Sequence, residues 1–210
     1  MQTLRKMMQP YGGLPPAAFC LTKAEGMRDR ETNSHEKRVS RMAEALCREL
    51  GVAAEVCGQV ASAALLHDIG KFAIPLNVLR KTTPLTQEEI ALLKTHSAKG
   101  YELLSSSGDA FLNMAAELAW AHHERYDGTG YPRKLKGDAI PLGARILTVC
   151  DVYDALRQDR PYRLGIPHSQ AMDVILVGDG RTRPEHFAPD VLAALRSIAN
   201  ELKSIYDTAS

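Results

Sequence analysis

The amino-acid sequence predicts an all-α fold, and three observations predict it. Apolar residues recur at three- and four-residue steps over most of the chain, as one buried face of a helix requires. Helix punctuation divides these segments, notably Gly51 and the capping-box pattern Thr86-Gln87-Glu88-Glu89. No stretch alternates apolar and polar residues convincingly over the length of a strand.

With 210 residues, 45% of them hydrophobic and 24% charged, the chain can fill one domain core. A net charge of +1 provides no global field to draw nucleic acid or an anionic membrane, and neither is expected as a partner. A polyanionic ligand would have to be caught by a local cluster. The first residues lack the apolar core of a signal peptide, and no apolar run nears transmembrane length. Cys20, Cys47, Cys57 and Cys150 show no C-x-x-C spacing, which suits reduced thiols and a cytoplasmic location.

Residues 1–27 read as an N-terminal arm or linker. Pro10, Gly12, Gly13, Pro15 and Pro16 should break any helix there. From Glu31 a helix is expected, with Val39, Met42, Ala43, Leu46, Cys47 and Leu50 on one face and Gly51 as its stop. A second should run from Ala54 to His67, with Val56, Val60, Ala64 and Leu65 inward and Gly70 just beyond its end. The capping box should open a third, carrying Ile90, Leu93, His96 and Leu104. A fourth should span Asp109 to His122. Residues 124–142, rich in Gly, Pro and charge, read as a loop. Helices are expected again at 143–158, 168–177 and 189–206, the last with Leu192, Leu195, Ile198, Leu202 and Ile205 on one face.

The chemistry centres on Ala63-Ala64-Leu65-Leu66-His67-Asp68-Ile69-Gly70-Lys71. An apolar run carries His67 and Asp68 inward, and a buried carboxylate must be neutralised, paired or bound to metal. Alone, such a pair is most often a hydrogen-bonded feature of the core. Here it has company in Glu31, His35, His96, His122, His123 and Asp151. Glu31 and His35 are four apart and share a helix face. His96 is expected in the middle of the capped helix, on its apolar side. His122 and His123 close a helix, and Asp151 sits with Ile146, Val149 and Val152 inside another. Singly, Glu31 reads as a solvated first-turn acid, and His122-His123 as a pair favoured by the helix dipole. Together, they come from different helices, as a metal site in a bundle core requires.

Imidazole mixed with carboxylate suits iron, manganese or zinc better than calcium or magnesium. Eight groups exceed the needs of one ion and suffice for two or three. Two ions about 3.5–4 Å apart could share Asp68, clamp the oxygens of a phosphodiester and lower the pKa of a water towards ~7. His168 and His186 are expected at the surface or in loops.

The sequence resembles the HD-GYP family of metal-dependent phosphohydrolases. The match is carried by His67-Asp68-Ile69-Gly70-Lys71 and by His122-His123-Glu124-Arg125-Tyr126-Asp127-Gly128-Thr129-Gly130-Tyr131-Pro132. Glu31-Thr32-Asn33-Ser34-His35, Lys94-Thr95-His96, Asp151-Val152-Tyr153-Asp154-Ala155 and Asp159-Arg160-Pro161-Tyr162-Arg163 extend it over residues 28–208. The resemblance implies an HD-superfamily helical bundle with an interior site for two or three iron or manganese ions. It implies hydrolysis of cyclic di-GMP to pGpG, and leaves open whether pGpG or GMP is the end product. It places His67, Asp68 and Asp151 on one ion and Asp68, His96, His122 and His123 on its neighbour. His35 and Glu31 complete the first or bind a third. Lys71 would touch the scissile phosphate, Arg160 and Arg163 the substrate phosphates or guanines, and Tyr131 the mouth of the site.

The rival readings are an HD hydrolase of another cyclic dinucleotide or nucleotide phosphate, and a cyclic di-GMP receptor or interaction module without turnover. Many HD-GYP proteins carry a sensor domain upstream, for which nothing in the 210 residues can serve. Either the sequence is part of a longer protein that carries such a domain, or a separate sensor or a diguanylate cyclase regulates it as a partner. Where the family shows Phe-Asp-Pro, this chain has Phe187-Ala188-Pro189, which should cost a helix cap that Asp190 replaces in part.

Overall fold

The computed structural model describes residues 14–28, 30–159 and 164–208, with side chains from residues 14–24, 34–159 and 164–208. Among them the only regular elements are helical, so the expected fold class is borne out. The longest helix, α2 (Arg30–Glu49), lies at the centre. Its Val39, Met42, Ala43 and Leu46 are fully buried. Gly51, at φ +73°, ends it in a Schellman arrangement, with Gly51 N bonded to Arg48 O and Val52 N to Cys47 O. Around α2 pack α1 (Pro16–Arg28), α3 (Ala54–Ala64), α8 (Leu142–Arg157), α10 (Pro189–Ser197) and α11 (Ala199–Thr208).

On the other side of α3, α7 (Ala110–Ala121) pairs with α6 (His96–Ser105). The remaining helices are α4 (Leu76–Leu79), α5 (Gln87–Lys94) and α9 (His168–Leu176). Thr86 and Glu89 complete the capping box of α5, with bonds of 3.3 and 2.8 Å, and Asp109 Oδ1 caps α7 through Leu112 N at 2.9 Å. No described helix is long and apolar enough to cross a membrane.

Several boundaries differ from the sequence expectations. The N-terminal arm carries α1, because Pro16 stands in its first turn, where the missing N–H costs no hydrogen bond. Leu14 and Ala18 join the core. Val56 lies on the outer side of α3, 43% exposed. The helix expected to reach His67 ends at Ala64, and Leu65–Asp68 turn into a 3-10 segment, Ile69–Ala73. Gly70 is not a left-handed stop. It allows this segment to touch α6, where an added Cβ would lie 1.9 Å from His96 O.

The third expected helix is two, α5 and α6. Thr95, His96 and Ser97 each bond back to the carbonyl three residues earlier, at 2.7, 2.7 and 3.0 Å, and so tighten the chain at the junction. The last expected helix breaks at Ile198 (φ −100°, ψ 21°). Ala188 provides no side-chain cap, and Asp190 Oδ1 accepts from Val191 N at 2.9 Å, the partial replacement that the sequence suggested.

Candidate metal centre

Five imidazoles and two carboxylates converge where the end of α3, the start of α6, the end of α7, α2 and α8 meet. His67 follows α3, His96 opens α6, His122 and His123 follow α7, His35 lies on α2 and Asp151 on α8. His96 thus begins a helix instead of occupying the middle of one. In three groups (His96, His122 and His123; His35, His67 and Asp151; His67, Asp68 and His122) the ligating atoms lie within 4.8 Å of one another. The third group shares one residue with each of the others. Asp68 stands between them, its Oδ1 3.3 Å from His96 Nε2 and 3.8 Å from His122 Nε2, and its Oδ2 3.5 Å from His67 Nε2.

The ring orientations follow from the second atom of each imidazole. Nδ1–H of His67, His96 and His122 donates to the carbonyl three residues back, Ala64, Leu93 and Ala119, at 2.7, 2.7 and 2.8 Å. A carbonyl only accepts, so each neutral ring keeps its proton on Nδ1 and turns the Nε2 lone pair into the site. His35 is held differently, donating from Nδ1 to Asp154 Oδ2 at 2.7 Å, with Nε2 3.4 Å from Asp151 Oδ1. Asp154 is fully buried and takes Arg38 through two bonds, Nε at 2.6 Å and Nη2 at 2.8 Å.

Burial pushes the pKa of His67 down and that of His122 well down, the latter helped by its neighbour His123, while His123 itself falls to about 3. These rings resist protons. Burial opposes charge on Asp68 as well, but Lys71, followed by His67, His96 and His122, outweighs it and holds the carboxyl well below its ordinary value. His35 goes the other way: burial lowers its pKa, yet the bond to Asp154 and the nearby carboxylates raise it overall.

The residues fit a divalent cation. His67 Nε2 is buried without a hydrogen-bond partner, and the Nε2 atoms of His96 and His122 face each other at 3.3 Å. Unprotonated lone pairs so placed are costly alone and satisfied by a shared cation.

The rim is built by the loop after α7. Tyr131 stacks on His123 with centroids 4.7 Å apart, and Lys94 Nζ lies 5.0 Å from the Tyr131 ring. Gly128 turns the loop at φ +86°. Gly130 instead permits close approach, since a Cβ there would sit 2.3 Å from Arg125 N. Lys71 forms an ion pair with Asp68. The side chain of Glu31, and Arg160 and Arg163 entirely, lie outside the described residues.

Sequence reading assigned no role to four residues, although two of them, Glu124 and Asp154, stand in its motifs. Arg38 and Asp154 orient His35. Buried Glu124 accepts from Arg133 N and Leu135 N at 2.7 and 3.1 Å, tying down the loop that carries Tyr131. The Thr148 hydroxyl lies 2.8 Å from both His122 O and Ala144 O. A signal was available for two of them, because Arg38 and Asp154 stand three residues beyond His35 and Asp151 on the same helix faces. His186 is not at the surface: it is 4% exposed and contacts Arg125 and Arg183. His168 is half-buried and accepts from the Tyr153 hydroxyl at 2.7 Å.

A helical bundle that aims several imidazoles and carboxylates at one interior space is a scaffold for bound metal. The chain matches the HD domain over residues 25–183, and it belongs to that family. It is 42% identical over 193 residues to the cyclic di-GMP phosphodiesterase response regulator RpfG of Xanthomonas campestris pv. campestris (strain 8004), covering 90% of this chain and 50% of RpfG. It is 37% identical over 177 residues to the 3'3'-cGAMP-specific phosphodiesterase 2 of Vibrio cholerae serotype O1, covering 84% of this chain and 33% of that protein. Bd1817, described as an HDG"Y"P protein from Bdellovibrio bacteriovorus, shares the fold with a TM-score of 0.62 at 22% identity, over 79% of this chain and 51% of Bd1817. The family expected from the motifs is thereby borne out. The chain spans half or less of the length of these two curated relatives.

Proposed function

We propose that this chain is the catalytic part of a metal-dependent phosphodiesterase that hydrolyses cyclic di-GMP to pGpG, with GMP the alternative end product. The observation that carries the reading is the position of Asp68, one oxygen towards His96 and His122 and the other towards His67. A carboxylate so placed can bridge two ions. In this reading His35, His67 and Asp151 hold one ion, and His96, His122 and His123 its neighbour. Glu31 completes the first or holds a third. The imidazole and carboxylate set favours iron or manganese. Bound there, the ions would supply Lewis acidity and a water of lowered pKa.

The protein's own groups do the rest. Lys71, paired with Asp68, neutralises the phosphate approaching that carboxylate. Tyr131, fixed on His123, forms one wall for the substrate, and Arg160 and Arg163 take phosphate or guanine edges, for which guanidinium forks are suited. Action in the cytoplasm, coupled to a sensor or a diguanylate cyclase, completes the proposal.

Three similar proteins are named for 3'3'-cGAMP, which makes that dinucleotide the second reading. Chain purified without oxygen and loaded with iron or manganese should turn over cyclic di-GMP, with pGpG and GMP resolved by chromatography. Faster turnover of 3'3'-cGAMP would favour the second reading. Binding of the dinucleotide by fully loaded protein without cleavage would replace both with a receptor.

A further inference from the structure

Of the five imidazoles, His67, His96 and His122 are oriented by backbone carbonyls, which no side-chain change removes. His35 differs. Its Nδ1 rests on Asp154, fully buried, and Asp154 is oriented by the two-bond fork from Arg38, 4% exposed, one turn along α2. Arg38 in turn lies over the Tyr206 ring on α11, its guanidinium carbon 4.9 Å from the centroid. The same ring takes Arg157 of α8 at 4.4 Å, and Arg157 Nη2 bonds Asp207 Oδ1 at 3.0 Å. A continuous set of contacts therefore runs from α11 through Arg38 and Asp154 to His35.

We infer that Arg38 and Tyr206 are positioning residues for His35, which makes the His35–His67–Asp151 metal position dependent on α11, while the His96–His122–His123 position is not. The inference rests on the proposed metal centre. Its physical basis is the outer shell of a metal site: the partner of a ligating imidazole fixes the tautomer and the ring angle, and losing it typically weakens metal binding about 10–100-fold. Arginine is the residue suited to hold Asp154, because its planar fork fixes both carboxylate oxygens at once, and a lysine would fix only one. The Tyr206 ring attracts the guanidinium through its face and so helps to hold the fork where it lies.

The test is manganese titration of the metal-stripped full chain, with stoichiometry from elemental analysis and folding followed by circular dichroism. Wild type should bind at both positions. Arg38→Met and Arg38→Lys should each weaken one position about 10–100-fold and leave the other within about twofold, and Tyr206→Leu should weaken that same position selectively by a smaller factor of more than about twofold. His96→Ala should weaken the other position instead. Arg38→Met strands the buried charge of Asp154 and risks unfolding. Tyr206→Leu keeps the Arg38–Asp154 pair and decides alone if that happens. Equal weakening of both positions, or of neither, in a folded Tyr206→Leu protein overturns the inference and leaves the metal centre standing. A wild type that binds no manganese overturns the metal centre itself, and the inference with it.

Discussion

Gly70→Ala tests how closely the halves of the centre are held. Gly70 lies in the 3-10 segment directly after Asp68, and the backbone of α6 crosses over it. A Cβ would stand 1.9 Å from His96 O, 2.4 Å from Gly100 N and 2.8 Å from His96 C. These are backbone atoms, which no rotamer change can move aside. To restore ordinary contact the segment and α6 must separate by roughly 1.5 Å. Asp68 moves with one and His96 with the other, and Asp68 Oδ1 and His96 Nε2 are only 3.3 Å apart. Overpacking of this kind costs about 1–3 kcal/mol. A misplacement on the order of 1 Å costs about 10²-fold in rate. Urea unfolding, manganese titration and cyclic di-GMP turnover read the three consequences. Gly58→Ala on α3 is the control: no atom lies within 4 Å of its added Cβ, and it should gain about 0.5–1 kcal/mol. A Gly70→Ala protein within about 0.5 kcal/mol of wild type, with unchanged metal affinity, would refute the close approach.

Three further outcomes follow from the same geometry. Glu124→Ala should destabilise by about 1–3 kcal/mol for each of the two loop N–H groups it abandons, read from urea midpoints; a loss under about 0.5 kcal/mol would show that the loop stands without it. Lys71→Met should lower kcat on the order of 10²–10³-fold at unchanged manganese content, and a parallel fall in metal content would mean that Lys71 acts through Asp68. The metal-free protein should lose stability as pH falls below about 6.5, since the unfolded chain then protonates His67, His122 and His123 while the folded chain resists, His123 down to about 3. His35, raised in the fold, contributes with the opposite sign, stabilising below about 6.5 and losing that contribution as pH rises through its folded value. Flat stability between pH 7 and 5 would contradict the buried neutral rings.

Much of the fold was legible because its signals are local. The face of α2, the capping box of α5 and the Asp109 cap of α7 need only neighbouring residues. That His35, His67, Asp68, His96, His122, His123 and Asp151 would come together was legible for a related reason, since a buried imidazole or carboxylate needs a partner and these had each other. The breaks at Thr95 and Ile198 were not legible, because helical spacing continues through both. Gly70 was misread since a helix stop and a close approach look alike until the second helix is in place. Arg38 and Asp154 were missed because their importance lies in each other, 116 residues apart in the chain.

The central claim is that two adjacent metal positions share Asp68. Anomalous scattering from crystals loaded with manganese tests it most directly. Two peaks about 3.5–4 Å apart, one beside His35, His67 and Asp151, the other beside His96, His122 and His123, with Asp68 contacting both, is the predicted result. A single peak, or two that Asp68 does not join, would contradict it.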